Sequence, residues 1–172
     1  MLTDRPAPEG LDHEAFRAVY AAHYVPLVRL AYVTTGSRAA AEDVVQEAFI
    51  EWYRRGAQVR EPVPYLRRAV VSRCTSWVRR RRLERRHAGA AEPTWASGAA
   101  AAAGEAAGSA DAQAVRAALH RLNPRQRAAV FLRFYLDLSE AQIAAALGCR
   151  PGTVKSLLHR GLAAVKEELD VD

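Results

Sequence analysis

The chain has 172 residues, of which 50% are hydrophobic, and it carries a formal net charge of +6 at pH 7. This length allows one or two domains, and no apolar stretch approaches the roughly 18 residues of a membrane-spanning helix. The N-terminus has no signal-peptide hydrophobic region, so we expect a cytoplasmic protein. Cys74 and Cys149 lie in different segments and match no metal or redox spacing. We therefore expect no metal, no cofactor and no disulfide.

Charge is distributed unevenly along the chain. Residues 1–51 carry 4 basic and 8 acidic side chains, residues 60–87 carry 10 and 2, and residues 112–172 carry 9 and 6. Two basic segments separated by an acidic stretch indicate two separate contacts with a polyanion such as a nucleic acid. Nearly all the basic residues are arginine, which suits bidentate contacts to phosphate or to base edges.

Apolar periodicity predicts an all-α N-terminal domain over residues 12–87. Its first helix begins at Asp12, and its inner stripe is predicted to be Phe16, Val19 and Tyr20. Pro26 is expected to kink or restart that helix. A second helix opens at Gly36-Ser37 and ends at Gly56, and its inner stripe consists of Ala41, Val44, Val45, Ala48, Phe49 and Trp52.

The second helix carries another stripe on a different face. At i, i+3, i+4 and i+7, this stripe combines two acids, an amide and an apolar side chain: Asp43, Gln46, Glu47 and Ile50. Such a mixed exposed face suits a protein partner. A merely solvated face with one stray isoleucine is an equally good explanation of the pattern.

The third predicted helix starts at Pro62-Val-Pro64 and is strongly basic at its end. Its inner positions are Leu66, Val70, Cys74 and Trp77, and it runs into four consecutive arginines, Arg79–Arg82. Four adjacent arginines sweep around a helix, which suits phosphate binding with release of counterions. Tyr53 and Tyr65 flank the preceding loop, where they either stack on an exposed base or pack into the helical core.

A low-complexity segment over residues 88–111 is predicted to be a flexible linker to a second all-α domain over residues 112–169. This domain is expected to hold four short helices. Asn123 and Gln126 form a capping box at the second of them, and the predicted core positions of that helix are Val130, Phe131 and Phe134.

The segment 138–156 reads as a helix-turn-helix. Ser139 and Gln142 form a second capping box, Gly148 stops the first helix, and Pro151 suits the first position of the next. With Val154, Leu158, Gly161 and Val165 on the buried face, the side chains left pointing outward are Thr153, Ser156, His159 and Arg160. An ordinary αα-hairpin in a helical core is the alternative.

These motifs resemble the extracytoplasmic-function sigma factors, the smallest class of bacterial RNA polymerase sigma subunit in the sigma-70 family. The resemblance rests on Ala41–Phe49, Pro64–Val71, Leu122–Arg127 and Gly152–Ser156, and it covers residues 12–167 apart from the linker. It implies a non-catalytic subunit that directs polymerase to specific promoters and helps to open the −10 region. The implied partners are core polymerase (its β′ clamp helices and β flap), promoter DNA and an anti-sigma factor.

The resemblance also implies residue roles. Residues 12–87 would form the domain that docks polymerase and reads the −10 element, and residues 112–169 would read the −35 element, with the linker holding the two apart. Polymerase docking would use Asp43, Gln46, Glu47 and Ile50. Contacts to −10 DNA would come from Tyr65, Arg68, Ser72, Arg73, Arg79, Arg80 and Arg82. Contacts to −35 DNA would come from Arg150, Thr153, Lys155, Ser156, His159 and Arg160.

Three positions depart from the family pattern, and several alternative functions remain. Many members have Asn at the position of Ser72, Arg at that of Leu157, and Ser at that of Arg150. The main alternative is a helix-turn-helix transcriptional regulator that acts without docking polymerase. A nucleic-acid-processing enzyme and a competitor that binds polymerase without starting transcription are further alternatives.

Overall fold

The computed structural model describes residues 12–88 and 110–169, which form seven α-helices and no strand. In the N-terminal part these are α1 (His13–Thr35), α2 (Arg38–Arg55) and α3 (Pro62–Ala88), with a short 3-10 helix at Gly56–Gln58 after α2. The C-terminal part holds α4 (Ala110–Arg121), α5 (Pro124–Phe134), α6 (Glu140–Leu147) and α7 (Pro151–Leu169). The predicted all-α class is confirmed, and none of the described helices is long and apolar enough to cross a membrane.

Local capping explains where most of these helices begin and end. The Asp12 carboxylate accepts a hydrogen bond from the Glu14 amide at 3.0 Å at the start of α1. Both predicted capping boxes are present, at the starts of α5 and α6. Gly148 ends α6 with a φ of 61°, a left-handed conformation that glycine adopts without the steric cost of a Cβ atom.

The core of the N-terminal helices matches most of the predicted stripes. All six inner positions of α2 are buried, as are Leu66, Val70 and Cys74 on α3. Two positions differ from prediction: Tyr20 is 39% exposed and Trp77 is only half-buried. The Arg81 guanidinium lies 5.8 Å from the centroid of the Trp77 ring, so the indole supports the basic end of α3. Pro26 does not restart the first helix, because α1 continues through it.

In the C-terminal domain, α4, α5 and α6 each pack against α7. The predicted core of α5 is partly wrong, since Phe134 is 63% exposed and the buried apolar residues are Ala128, Ala129 and Leu132. These residues form the side of α5 that α1 approaches, which the periodicity of α5 alone does not indicate. Gly161 permits a close approach of α7 to α5, because a Cβ atom at this position would lie 3.1 Å from Val130 Cγ2.

The two domains pack against each other instead of lying apart. The α1 helix contacts α5, the α3 helix contacts α6, and the buried residues of both domains form one continuous cluster. Helical structure extends into both ends of the predicted linker, to Ala88 and from Ala110, and residues 89–109 lie outside the described part of the chain.

Candidate nucleic-acid interface

The second helix of the predicted helix-turn-helix presents a polar outer face. Val154 and Gly161 on α7 are buried, whereas the predicted outward positions are all exposed: Thr153, Lys155, Ser156, His159 and Arg160. At 3.6 residues per turn these five positions span about 160° of the helix. The Lys155 ammonium lies 3.9 Å from the Glu140 carboxylate, and the Ser156 hydroxyl donates to the Gly152 carbonyl at 3.2 Å. Arg160 and His159 are the long polar side chains that extend furthest along this face.

The turn before α7 is formed by backbone groups. The Arg150 carbonyl accepts hydrogen bonds from the amides of Thr153 at 2.9 Å and Val154 at 3.3 Å, while the Arg150 side chain is exposed. Arg150 therefore starts the helix without a side-chain cap and leaves its guanidinium available to a phosphate. Leu157 is half-buried and packs against the core, so a leucine there contributes to folding.

The basic residues of α3 separate into two groups. Arg68, Ser72 and the run Arg79–Arg82 are exposed. Arg73 instead faces α2: it forms an ion pair with Glu51, and its Nε lies 3.6 Å from the Glu47 carboxylate. The Arg73 side chain is only 28% exposed, so the structure corrects its predicted place among the free DNA contacts. The acids of α2 that hold Arg73 lie one turn apart, a spacing the α2 pattern contained and the α3 pattern did not.

Tyr65 is half-buried at the start of α3, between the two alternatives that the sequence left open. The Arg55 guanidinium lies 5.7 Å from the centroid of its ring, so one face of the ring is occupied. Partial burial raises the pKa of the Tyr65 hydroxyl above its ordinary value, and a hydrogen bond with Glu51 raises this pKa further. Glu51 therefore holds both Tyr65 and Arg73, and it links α2 to the start of α3.

The predicted docking residues share one exposed face of α2. Asp43, Gln46 and Glu47 are exposed, and Ile50 is 49% exposed, on the side opposite the buried stripe. An isoleucine with this exposure beside three polar groups matches the composition of a small protein-binding surface. We call these four residues the α2 face.

Sequence reasoning missed the residues that join the two domains. Arg127 on α5 is 7% exposed, and its Nη1 donates to the Val33 carbonyl at 3.3 Å. Burial lowers the pKa of Arg127 to about 10, and the charge of Arg82 lowers this pKa further. Arg29 on α1 hydrogen-bonds the Tyr135 hydroxyl, and the Arg29 guanidinium lies 5.6 Å from the centroid of the tyrosine ring. No local pattern marks these arginines, because their partners are about 100 residues away in the chain.

Comparisons with known proteins agree with this geometry. Residues 19–84 match the family model for sigma-70 region 2, and residues 112–165 match the model for sigma-70, region 4. The RNA polymerase sigma-E factor of Streptomyces avermitilis is 38% identical over 133 residues, which cover 76% of this chain and 71% of that relative. The chain belongs to the sigma-70 family, among the extracytoplasmic-function sigma factors.

Other relatives of this sigma factor extend the match. The ECF RNA polymerase sigma factor SigL of Mycobacterium tuberculosis is 30% identical over 152 residues, which cover 87% of this chain and 86% of SigL. Among solved structures, the sigma factor RpoE from Bartonella quintana, in complex with the anti-sigma factor NepR, has a TM-score of 0.72 at 24% identity and covers 92% of this chain and 99% of that one. CnrH, in complex with the cytosolic domain of CnrY, has a TM-score of 0.64 at 21% identity and covers 94% and 91%. These two structures share the fold of this chain.

Proposed function

We propose that this sigma factor docks core RNA polymerase through the α2 face and reads two promoter elements with two different domains. The observation that carries the proposal is the exposed polar outer face of α7. It lies on the second helix of a helix-turn-helix, within the segment that matches region 4. A second helix of this kind enters the major groove of DNA.

At the −35 element, residues of α7 divide into base contacts and phosphate contacts. Arg160 and His159 extend outward and can reach base edges, as can Ser156 and Thr153 at closer approach. Lys155 and Arg150 lie toward the flanks of this surface and suit phosphate contacts, which position the helix without specifying sequence. This division predicts which substitutions change promoter preference.

At the −10 element, the proposed surface is the exposed side of α3. Arg79, Arg80 and Arg82 supply phosphate contacts, and Arg68 and Ser72 supply contacts nearer the start of the helix. Tyr65 offers one free ring face for stacking on an unpaired base. Arg73 takes a different role in this proposal: held by Glu47 and Glu51, it positions α3 against α2.

The partners of this sigma factor follow from the same assignment. The β′ clamp helices of polymerase would take the α2 face, and the β flap would take the C-terminal domain. Polymerase would supply the chemistry, so we propose no catalytic step within this chain and place it in the cytoplasm with polymerase and the chromosome. An anti-sigma factor is a proposed regulator, because the similarly folded RpoE was solved in complex with one.

Run-off transcription tests the proposal. Purified core polymerase is supplied with the full chain and a library of templates randomised at the −10 and −35 positions. We expect transcripts only when both proteins are present, and enriched templates that share two short motifs. A regulator without polymerase docking would instead bind its own duplex site tightly in the absence of core, and it would not start transcription from any template.

A further inference from the structure

Two arginines cross the domain interface to reach the ends of helices. Arg127 of α5 donates to the Val33 carbonyl in the last turn of α1, and Arg68 of α3 donates to the Ala145 carbonyl in the last turn of α6, at 3.4 Å. The last four carbonyls of a helix have no partner within it, and they form the negative end of its dipole. Each domain therefore supplies a guanidinium that caps a helix of the other.

Closure also narrows the space in front of the proposed −10 surface. Arg68, Ser72 and Arg79 face Ala146, Leu147 and Gly148 across a cleft of about 220 Å³. Because a water molecule occupies about 30 Å³ in the liquid, this volume corresponds to roughly seven waters. A DNA strand needs far more space, so these side chains are exposed to solvent and yet inaccessible to DNA.

The recognition helix is not covered in the same way. The cleft is lined by residues of α3, α5 and α6 together with Gly148, and the outward side chains of α7 remain exposed. The closed arrangement therefore affects the two proposed DNA surfaces differently. It restricts the one on α3 and leaves the one on α7 available.

We propose that the free chain is autoinhibited by its own helix-turn-helix domain, which occupies the −10 face of α3. Arg68 has two competing partners, the Ala145 carbonyl in the closed chain and a DNA phosphate in the open one. Separation of the domains on polymerase releases Arg68 and opens the cleft. This inference rests on the proposed assignment of α3 to −10 DNA.

A matched pair of arginine variants on α1 tests the proposal in the free, full-length chain. Arg29 reaches Tyr135 across the interface, whereas Arg17 is an exposed arginine nearer the start of the same helix. The probe is a fluorescent 20-nucleotide single strand of random sequence, titrated at constant ionic strength. Removing a cation ordinarily weakens DNA binding. Opening the chain strengthens it, because the apparent dissociation constant scales inversely with the open fraction.

We expect Arg29→Ala to bind the strand about two- to tenfold more tightly than wild type, with a larger radius of gyration in solution scattering. Arg17→Ala should bind equally or slightly more weakly and keep the wild-type radius. Tyr135→Ala removes the same interaction from the other domain without changing the charge, and it should behave like Arg29→Ala. Equal or weaker binding by both interface variants, or an unchanged radius in both, overturns the proposal.

The proposed function is tested separately, by run-off transcription with the same variants. Scattering and binding by the free chain do not depend on polymerase. A chain that opens as expected but supports no transcription therefore contradicts the function and not the closure. A chain that transcribes but shows no difference between Arg29→Ala and Arg17→Ala contradicts the closure alone.

Discussion

Replacing the three polar residues of the α2 face with alanine should abolish docking while leaving the fold intact. The variant carries Asp43→Ala, Gln46→Ala and Glu47→Ala. All three side chains are exposed, and the substitutions remove one ion pair, between Glu47 and Arg73 at 3.6 Å, in which the Glu47 side chain is 68% exposed. Exposed ion pairs contribute about 0–1 kcal/mol to stability.

The expected change in the free energy of unfolding is therefore small. Arg73 keeps Glu51 as its partner, and alanine has a higher helix propensity than the residues it replaces, by up to about 0.7 kcal/mol each. These terms oppose each other, so the free energy of unfolding should change by no more than about 1 kcal/mol. If each of the three native side chains contributes about 1 kcal/mol or slightly more to the polymerase interface, the dissociation constant for core should rise roughly 100-fold or more.

Fluorescence anisotropy of labelled protein titrated with core polymerase measures this affinity, and thermal unfolding followed by circular dichroism measures stability. A matched control removes the exposed Arg38–Glu42 ion pair, which lies on the same helix beside the α2 face, by changing both residues to alanine. The control should bind core normally. Native affinity of the triple variant, or an equally weakened control, would refute the assignment of this surface.

Three further changes test the DNA surfaces and the core. Neutralising the arginines at the end of α3 should make the salt dependence of holoenzyme binding to promoter shallower, by up to roughly 0.9 for each phosphate that an arginine no longer neutralises, and an unchanged slope would mean that they serve another partner; these are Arg79, Arg80 and Arg82. Arg160→Ala should cost about 1–3 kcal/mol and relax preference at one or two −35 positions, whereas Lys155→Ala should weaken all sequences alike in a −35 mutant library; the reverse pattern would contradict our orientation of α7. Burial raises the pKa of the Cys74 thiol from 9.0 to about 12, so titration with a thiol reagent at pH 8 should find Cys74 unreactive in the folded chain and reactive in denaturant. Because the unfolded chain releases this proton first, Cys74 should lower the stability of the fold as the pH rises from 9 toward 12, in a urea titration at each pH, and Cys74→Ala should flatten that decline.

Features that depend on nearby residues were predictable from the sequence. The inner stripe of α2, the capping boxes that begin at Asn123 and Ser139, and the left-handed Gly148 all follow from side chains within a few positions of one another. Helical periodicity and capping need no information about the rest of the chain. This explains why the fold class and the outward face of α7 could be derived in advance.

Features that depend on distant partners were not predictable in this way. Arg73 resembles the other arginines of α3 in its local pattern, yet it is held by Glu51 on a different helix. The exposed Phe134 and the buried Ala129 exchange their expected environments because α1, not the rest of the C-terminal domain, covers that side of α5. Such assignments require the packing of one domain on another, which hydrophobic periodicity within a single helix does not contain.

The α7 helix also bears on how promoter preference can change over time. Its folding contacts, at Val154, Leu157 and Gly161, and its outer residues occupy separate arcs that share no side chain. Substitutions on an exposed arc ordinarily change stability by no more than about 0.5 kcal/mol. New combinations of outer residues can thus be tried by mutation or by design on an unchanged scaffold. A duplicated gene could in this way acquire a separate set of target promoters while keeping the same polymerase.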